Sequence, residues 1–137
     1  MLKYRELEKI QKTERANLSR RQLQFYVELM QIWGLSRSDS FQLLALNRLF
    51  MISKWQRSWE EIILTDEQLE RLGYLLSIHH ILEAHFGGEV EQLREWLHVK
   101  KATAFSGLTP VEALKKASNR EVRYIAKDMM EHWDGYA

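Results

Sequence analysis

Residues that interrupt helices are scarce in this sequence, which has a single proline and six glycines among 137 residues. Runs of alternating apolar and polar residues, which would indicate strands, are not evident. Instead, the signature of a capped helix start, in which Ser or Thr precedes Glu or Gln by three residues, stands at the start of three predicted helices. The pairs are Thr65 with Gln68, Thr109 with Glu112, and Ser118 with Glu121. We therefore predict an all-α fold.

The spacing of apolar residues places most of the chain in amphipathic helices. The predicted helices cover residues 18–33, 36–46, 47–58, 66–86 and 90–97, a stretch that opens at Pro110, and a final helix from Ser118 through Trp133. No linker rich in Gly, Ser or Pro separates the two halves. We divide the chain into a helical N-terminal region, residues 1–62, and a helical C-terminal domain, residues 63–137, and expect the two to pack together.

Composition excludes several classes of protein. The absence of cysteine excludes disulfides, thiolate zinc sites, iron–sulfur clusters and a cysteine nucleophile. The first 19 residues are charged throughout and lack the apolar core of a signal peptide. The longest apolar runs, 43–46 and 49–52, are far shorter than the roughly 20 residues needed to cross a bilayer. We expect a cytoplasmic protein with no membrane span.

Charge is distributed unevenly along the chain although the formal net charge is only +1. Residues 1–57 contain 11 Lys and Arg against 5 Asp and Glu, a local net of +6, whereas residues 58–137 have a local net of −5. With so few charges, chance is one explanation of this asymmetry. The other is that the two parts face different partners, one of them a polyanion.

Residues 36–58 have the layout of a helix-turn-helix, in which the second helix enters the major groove of DNA. That second helix would carry the candidate DNA-binding residues Asn47, Arg48, Lys54 and Arg57. The turn at 45–47 lacks the usual glycine, which Asn47 replaces only in part. A plain three-helix packing unit is the alternative.

No set of residues predicts catalysis, metal binding or a cofactor. His79, His80 and His85 are close in sequence, but a helix turns by about 100° per residue and so directs them apart. The paired glutamates lie near predicted helix starts, where their negative charge interacts favourably with the helix dipole. We therefore predict neither a catalytic residue nor a metal site.

Aromatic residues at the C-terminus have two interpretations. Trp55 and Trp96 fall on the core faces of their predicted helices. Trp133 and Tyr136, separated by Gly135, instead lie at the end of the chain, where large rigid side chains can anchor a partner. The alternative is a tail that packs back on its own core.

Several motifs are similar to those of one known family. They are Arg71-Leu72-Gly73-Tyr74-Leu75-Leu76-Ser77-Ile78, Phe86-Gly87, Trp96-Leu97, Phe105-Ser106-Gly107-Leu108-Thr109-Pro110-Val111-Glu112-Ala113-Leu114, Val122-Arg123-Tyr124 and a Gly-aromatic-Ala ending. In these motifs the chain resembles the toxin-binding domain of Xre/MbcA/ParS-type antitoxins. Upstream, Trp33-Gly34-Leu35-Ser36, Leu43-Leu44 and Ser53-Lys54-Trp55 resemble the Xre-like helix-turn-helix of that family, at about residues 22–58. The resemblance covers about residues 25–137.

The resemblance implies an antitoxin of a type II toxin–antitoxin pair, without cofactors. Its partner would be a RES-domain toxin that consumes NAD, bound directly so that the toxin's active site is covered. The helix-turn-helix would repress the operon by contacting operator DNA through Asn47, Arg48, Lys54 and Arg57. The toxin would be contacted by Gly107, Thr109, Pro110, Trp133, Gly135, Tyr136 and Ala137. We also expect a homodimer.

The chain departs from the family pattern in three places. Residues 99–102 replace a Pro-Asn pair common after Trp-Leu, Asn119-Arg120 stands where a glycine is common, and the turn at 45–47 lacks its glycine. DNA binding is therefore the weaker implication of the two. The alternative function is a helix-turn-helix transcriptional regulator whose C-terminal half serves only dimerisation.

Overall fold

The computed structural model describes residues 4–44, 63–101 and 104–137, which form α-helices and a final 3₁₀ turn with no strand among them. In chain order these are α1 (Tyr4–Trp33), α2 (Arg37–Leu43), α3 (Asp66–Phe86), α4 (Val90–His98), α5 (Pro110–Lys116), α6 (Asn119–Glu131) and the turn Trp133–Gly135. The predicted all-α class is confirmed. Among the described residues, no helix is both long and apolar enough to span a bilayer.

Two expectations fall on residues that the structure does not describe. The predicted helix over 47–58 lies within 45–62, outside the described residues, and so does the end of the helix predicted over 36–46. The predicted boundary between residues 62 and 63 falls at the edge of the same segment. The arrangement of a separate N-terminal subdomain stays a prediction.

Reciprocal caps begin α3 and α6, as the sequence predicts. Before α3, the hydroxyl of Thr65 accepts the amide hydrogen of Gln68 at 3.1 Å, and the Gln68 side chain accepts that of Thr65 at 3.0 Å. Ser118 and Glu121 form the same box before α6. Each box satisfies two amides that a helix start otherwise leaves without a partner.

The start of α5 is capped from one side, and glycines end two helices. Thr109 accepts the amide hydrogen of Glu112 at 3.1 Å, but the return bond from the Glu112 side chain that completes a box is not formed. The predicted box at this position is therefore only half right. Gly34 follows α1 with φ +65° and Gly87 follows α3 with φ +59°, conformations that residues with a Cβ atom rarely adopt.

Both terminal helices have ends that differ from the prediction. Helix α1 begins at Tyr4 rather than near residue 18. Residues 5–17 consist largely of good helix formers, but their apolar residues are too sparse to indicate a helix by periodicity. Helix α6 ends at Glu131, so Trp133 lies in the 3₁₀ turn rather than on the helix.

The described helices share a hydrophobic core centred on α3. This helix contacts α1, α4 and α6, and the contact with α6 is the most extensive between described helices. Helices α2 and α4 both pack against α5. Fully buried side chains include Leu23, Tyr26, Trp33, Leu43, Leu72, Leu75, Ile78 and Leu82.

Arg71, on α3, lies inside this core with only 3% of its surface exposed. Its guanidinium donates to the carbonyl of Leu43 at the end of α2, and to those of Leu114 (2.6 Å) and Ala117 (2.7 Å) at the end of α5. The side-chain oxygen of Asn119 accepts a further bond at 3.3 Å. Carbonyls at a helix C-terminus lack helical partners and bear partial negative charge. Arg71 therefore fastens α2 and α5 to α3.

A second arginine closes the end of α1. Arg94, on α4, donates to the carbonyls of Gln31 and Ile32, each at 2.8 Å. The ring of His98 hydrogen-bonds the carbonyl of Trp33, also at 2.8 Å. The last carbonyls of α1 are thus satisfied by side chains of α4, which sets the position of these two helices.

Replacing Arg71 tests how far the fold depends on it. We expect Arg71→Leu to lower the free energy of unfolding by about 3–5 kcal/mol, because buried carbonyls lose a charged donor. Urea denaturation followed by circular dichroism measures this change. The matched control, Arg123→Leu at an exposed position of α6, should change it by no more than about 0.5 kcal/mol. Equal stability of the two variants would contradict the assigned role.

The buried hydroxyl of Tyr26 leads us to expect that the folded protein loses stability at alkaline pH. This hydroxyl donates to the carbonyl of Ser40 at 2.6 Å, and burial raises its pKa above the ordinary 10.0. Unfolded chains release this proton near pH 10 while the folded protein keeps it, so its stabilisation is complete below pH 10 and lost above. Urea midpoints across this range should fall less steeply for Tyr26→Phe than for the exposed control Tyr124→Phe. Parallel curves would contradict this prediction.

Candidate functional site

The end of the chain folds back on the helices. After α6, His132 leaves the helical conformation with φ −137° and ψ 51°, and the 3₁₀ turn follows. The amides of Tyr136 and Ala137 both donate to the carbonyl of Trp133, at 2.8 and 3.1 Å. Residues 132–137, called the docked tail below, therefore form a compact turn. Of the two interpretations of these aromatics, the structure shows the tail packed on its own core.

Tyr136 anchors the docked tail from the inside. Its side chain is buried, and its ring meets that of Phe105 edge to face at 5.5 Å. The indole nitrogen of Trp96 donates to the Tyr136 carbonyl at 2.7 Å, and the Tyr136 hydroxyl donates to Asp128 at 2.6 Å. Burial, and secondarily this hydrogen bond, raise the pKa of Tyr136. The residue holds the tail in place and presents little surface to a partner.

Trp133 lies at the surface end of the same aromatic cluster. It stacks on His85, with ring centroids 4.2 Å apart and planes 9° from parallel. The ring centroids of Phe86 and Trp96 lie 5.9 Å and 5.5 Å from that of Trp133, with the Phe86 ring nearly perpendicular to it. Trp133 is therefore fixed in orientation while part of its surface stays accessible to a partner.

A hollow of about 310 Å³ opens beside Trp133. Its lining includes His85, Glu95, Trp96, Lys101, Trp133 and Ala137. The ammonium of Lys101 lies 5.2 Å from the centre of the Trp96 ring, within the range of a cation–π interaction. Burial lowers the pKa of Lys101. A hollow with aromatic walls, one cation and one carboxylate could receive a side chain of a binding partner.

The loop before α5 supports the tail from the other side. Ser106 and Gly107 both have positive φ, 52° and 82°, and this tight bend turns Phe105 inward onto Trp96 and Tyr136. The Gly107 amide donates to the carbonyl of Lys101 at 2.9 Å. A residue with a Cβ atom at Gly107 would be strained by this backbone conformation.

The predicted toxin-binding residues divide by exposure. Gly107, Gly135 and Ala137 are exposed and Trp133 is half-buried, whereas Thr109, Pro110 and Tyr136 are buried. The structure brings loop and tail together through the contact of Phe105 with Tyr136. Thr109 serves as the cap of α5, and Pro110 is the first residue of that helix. A partner could therefore contact the four accessible residues directly. The three buried residues could affect binding only by holding the accessible ones in place.

Sequence reasoning did not assign the residues that surround the tail. In the sequence His85 is grouped only with the other histidines, Trp96 is placed on a core face, and Phe86 and Phe105 belong to motifs without an assigned role. For His85 and Phe86, the local sequence indicates only that they occupy the last turn of a helix that ends at Gly87. Their contacts with the tail span many residues of sequence, so periodicity does not reveal them.

The structure does not describe the candidate DNA-binding residues. Asn47, Arg48, Lys54 and Arg57 all lie outside the described residues, as does the glycine-free turn at 45–47. The preceding helix α2 is described, and Ser36 caps it by accepting the Asp39 amide hydrogen at 3.1 Å.

The histidines near the core have structural partners. His79 accepts a hydrogen bond from the indole of Trp33 at 2.9 Å through Nδ1, and its Nε2 lies 2.8 Å from Glu83. A neutral ring whose Nδ1 accepts carries its proton on Nε2, which then donates to the carboxylate. Within the described ranges, no group of three or more His, Asp or Glu residues is arranged to hold a metal ion.

Comparison of the chain with protein-family models, with curated proteins and with solved structures finds no match.

Proposed function

We propose that this protein is a cytoplasmic antitoxin that neutralises a RES-domain, NAD-consuming toxin by binding it directly. The observation that carries the proposal is the fixed orientation of Trp133 against His85 and Trp96, beside a hollow at the surface. The motif resemblance supplies the partner class. In this proposal the chain acts without chemistry of its own.

A pre-ordered aromatic surface favours binding to a protein. Side chains that are already immobile lose little entropy on association, and buried Trp residues are common energetic centres of interfaces. Trp133 meets both conditions, because its neighbours hold the ring while one side stays accessible. Gly135 and Ala137, exposed on either side of Tyr136, let a partner surface approach the turn closely.

Charge supports the same partner. Residues 58–137 have a net charge of −5, and two carboxylates are exposed here, Glu131 just before the docked tail and Asp134 within it. An enzyme that binds NAD must accommodate a pyrophosphate, which cationic groups recognise. An acidic surface is complementary to such a cleft, and covering the cleft would exclude the substrate.

Trp133→Ala tests the proposed toxin contact. We expect an affinity loss of about 10- to 100-fold for the co-expressed RES-domain toxin, together with loss of growth protection and a fall in cellular NAD. Tyr124→Ala, which removes an exposed aromatic of α6 outside the hollow, is the matched control and should bind normally. Circular dichroism verifies that both variants are folded. Full protection by folded Trp133→Ala, or by a chain ending at Met130, would contradict the role of the tail.

The alternative function, a DNA-binding regulator, is favoured by the net charge of +6 over residues 1–57. An antitoxin that represses its own operon would combine both functions. If the protein is instead a regulator without a toxin partner, its C-terminal half serves only dimerisation. Trp133→Ala would then not change the survival of cells that express the toxin.

A promoter-binding experiment separates these functions. Affinity for a fragment of the protein's own promoter should fall with salt by roughly one unit of log–log slope per neutralised phosphate. The double variant Arg48→Ala with Lys54→Ala should lose promoter binding and keep toxin neutralisation, while the control Lys127→Ala on α6 should keep both. The absence of salt-sensitive binding to any promoter fragment would remove the DNA function.

A further inference from the structure

The N-terminal half of α1 extends beyond the core. Residues 5–18, called the arm below, are all exposed except Ala16, which is half-buried. At its base, Arg15 pairs with Asp66 at 2.5 Å and buried Ser19 accepts the Leu64 amide hydrogen at 3.0 Å. The arm is continuous with the packed part of α1, which has 30 residues in all. Its exposed surface is therefore available to a partner.

One face of α1 carries a line of exposed apolar side chains. Leu7, Ile10, Leu18 and Phe25 are 43%, 42%, 39% and 55% exposed. Because an α-helix turns by about 100° per residue, Leu7, Leu18 and Phe25 lie within about 20° of one another, with Ile10 about 60° to one side. These four residues form what we call the stripe. It leads to a hollow of about 270 Å³ between α1 and α3, lined in part by Phe25, Leu29, Ile32 and Leu76.

The charges of Glu14 and Arg21 on this face are placed symmetrically about a point between Asn17 and Leu18. Glu14 and Arg21 are both exposed and lie within about 40° of the line through Leu7. If two copies pair in parallel and in register, Glu14 meets Glu14 and Arg21 meets Arg21. If they pair antiparallel about the point between Asn17 and Leu18, each Glu14 faces an Arg21. The charge pattern is therefore complementary to itself in the antiparallel arrangement only.

The same arrangement matches the apolar residues. With the twofold axis between Asn17 and Leu18, Ile10 faces Phe25, and Leu7 faces Glu28, next to Leu29. Residue 29 lies at the hollow between α1 and α3. Leu7 and Leu29 are each eleven residues from Leu18, about 16 Å along the helix, so the arm is long enough to reach the hollow.

We propose that two copies of this chain associate through antiparallel pairing of α1, with the arm of each copy covering the stripe of the other and Leu7 entering the hollow between α1 and α3. Such a contact is isologous, as in most homodimers. It is independent of the docked tail, which stays free to bind another protein.

Cross-linking at the twofold axis is a direct test. The chain has no cysteine, so in Leu18→Cys the introduced thiol can form a disulfide only with its counterpart in a second copy. Antiparallel pairing brings the two Cα atoms within the roughly 4.4–6.8 Å that a disulfide requires. Mild oxidation should yield a covalent dimer from Leu18→Cys and not from Gln24→Cys, which lies on another face of the exposed helix. Equal cross-linking of both, or of neither, overturns the proposal.

Charge exchange tests the register. Analytical ultracentrifugation of the full chain should show a dimer, with the dissociation constant raised at least about tenfold by Glu14→Arg or by Arg21→Glu. The double variant carrying both changes should restore dimerisation, which a general loss of folding would not. A monomeric wild-type chain, or a double variant as weak as the single ones, overturns the proposal. Binding of a monomeric chain to anionic lipid vesicles, abolished by Leu18→Glu, would assign the stripe to a membrane surface instead.

Discussion

Helices α2 and α5 contain only seven residues each, and their C-terminal carbonyls converge on the guanidinium of Arg71. Helices this short are unstable by themselves, because the cost of nucleation is spread over too few hydrogen bonds. Arg71 compensates by supplying donors that the helix ends lack. The planar guanidinium directs several donors at fixed angles, which the ammonium of a lysine does not. Burial lowers the pKa of Arg71, and electrostatic interactions with Tyr26 and Glu121 act in the opposite direction.

The docked tail depends on this framework. Arg71 holds the end of α5, and α5 follows the loop whose bend at Gly107 turns Phe105 onto Tyr136. Tyr136 and Trp133 are then fixed by rings and hydrogen-bond donors from α3, α4 and the loop. The proposed toxin-binding surface is therefore an extension of the core, and its geometry is set before any partner arrives. This is the physical basis for assigning recognition to Trp133.

Residues that are neighbours in sequence made much of the secondary structure predictable. The boxes at Thr65 and Ser118, and the stops at Gly34 and Gly87, involve groups within four residues of each other. Where local signals are weak, prediction was less accurate. The arm was missed because helix formers without apolar periodicity leave little pattern, and α6 was extended to Trp133 because periodicity alone does not indicate where a helix ends.

The sequence alone determined an all-α chain with capped helix starts, an uneven charge distribution and a C-terminal end rich in aromatics, because each of these is a property of composition or of short spacings. Only the tertiary structure decided that Tyr136 is buried, that Trp133 stacks on His85 and that Arg71 joins α2 and α5 to α3. The partners in these contacts are far apart in sequence, 40 residues for Trp96 and Tyr136 and 46 for Arg71 and Ala117. Hydrogen bonds and ring contacts at that separation depend on how helices pack together, which no local pattern specifies.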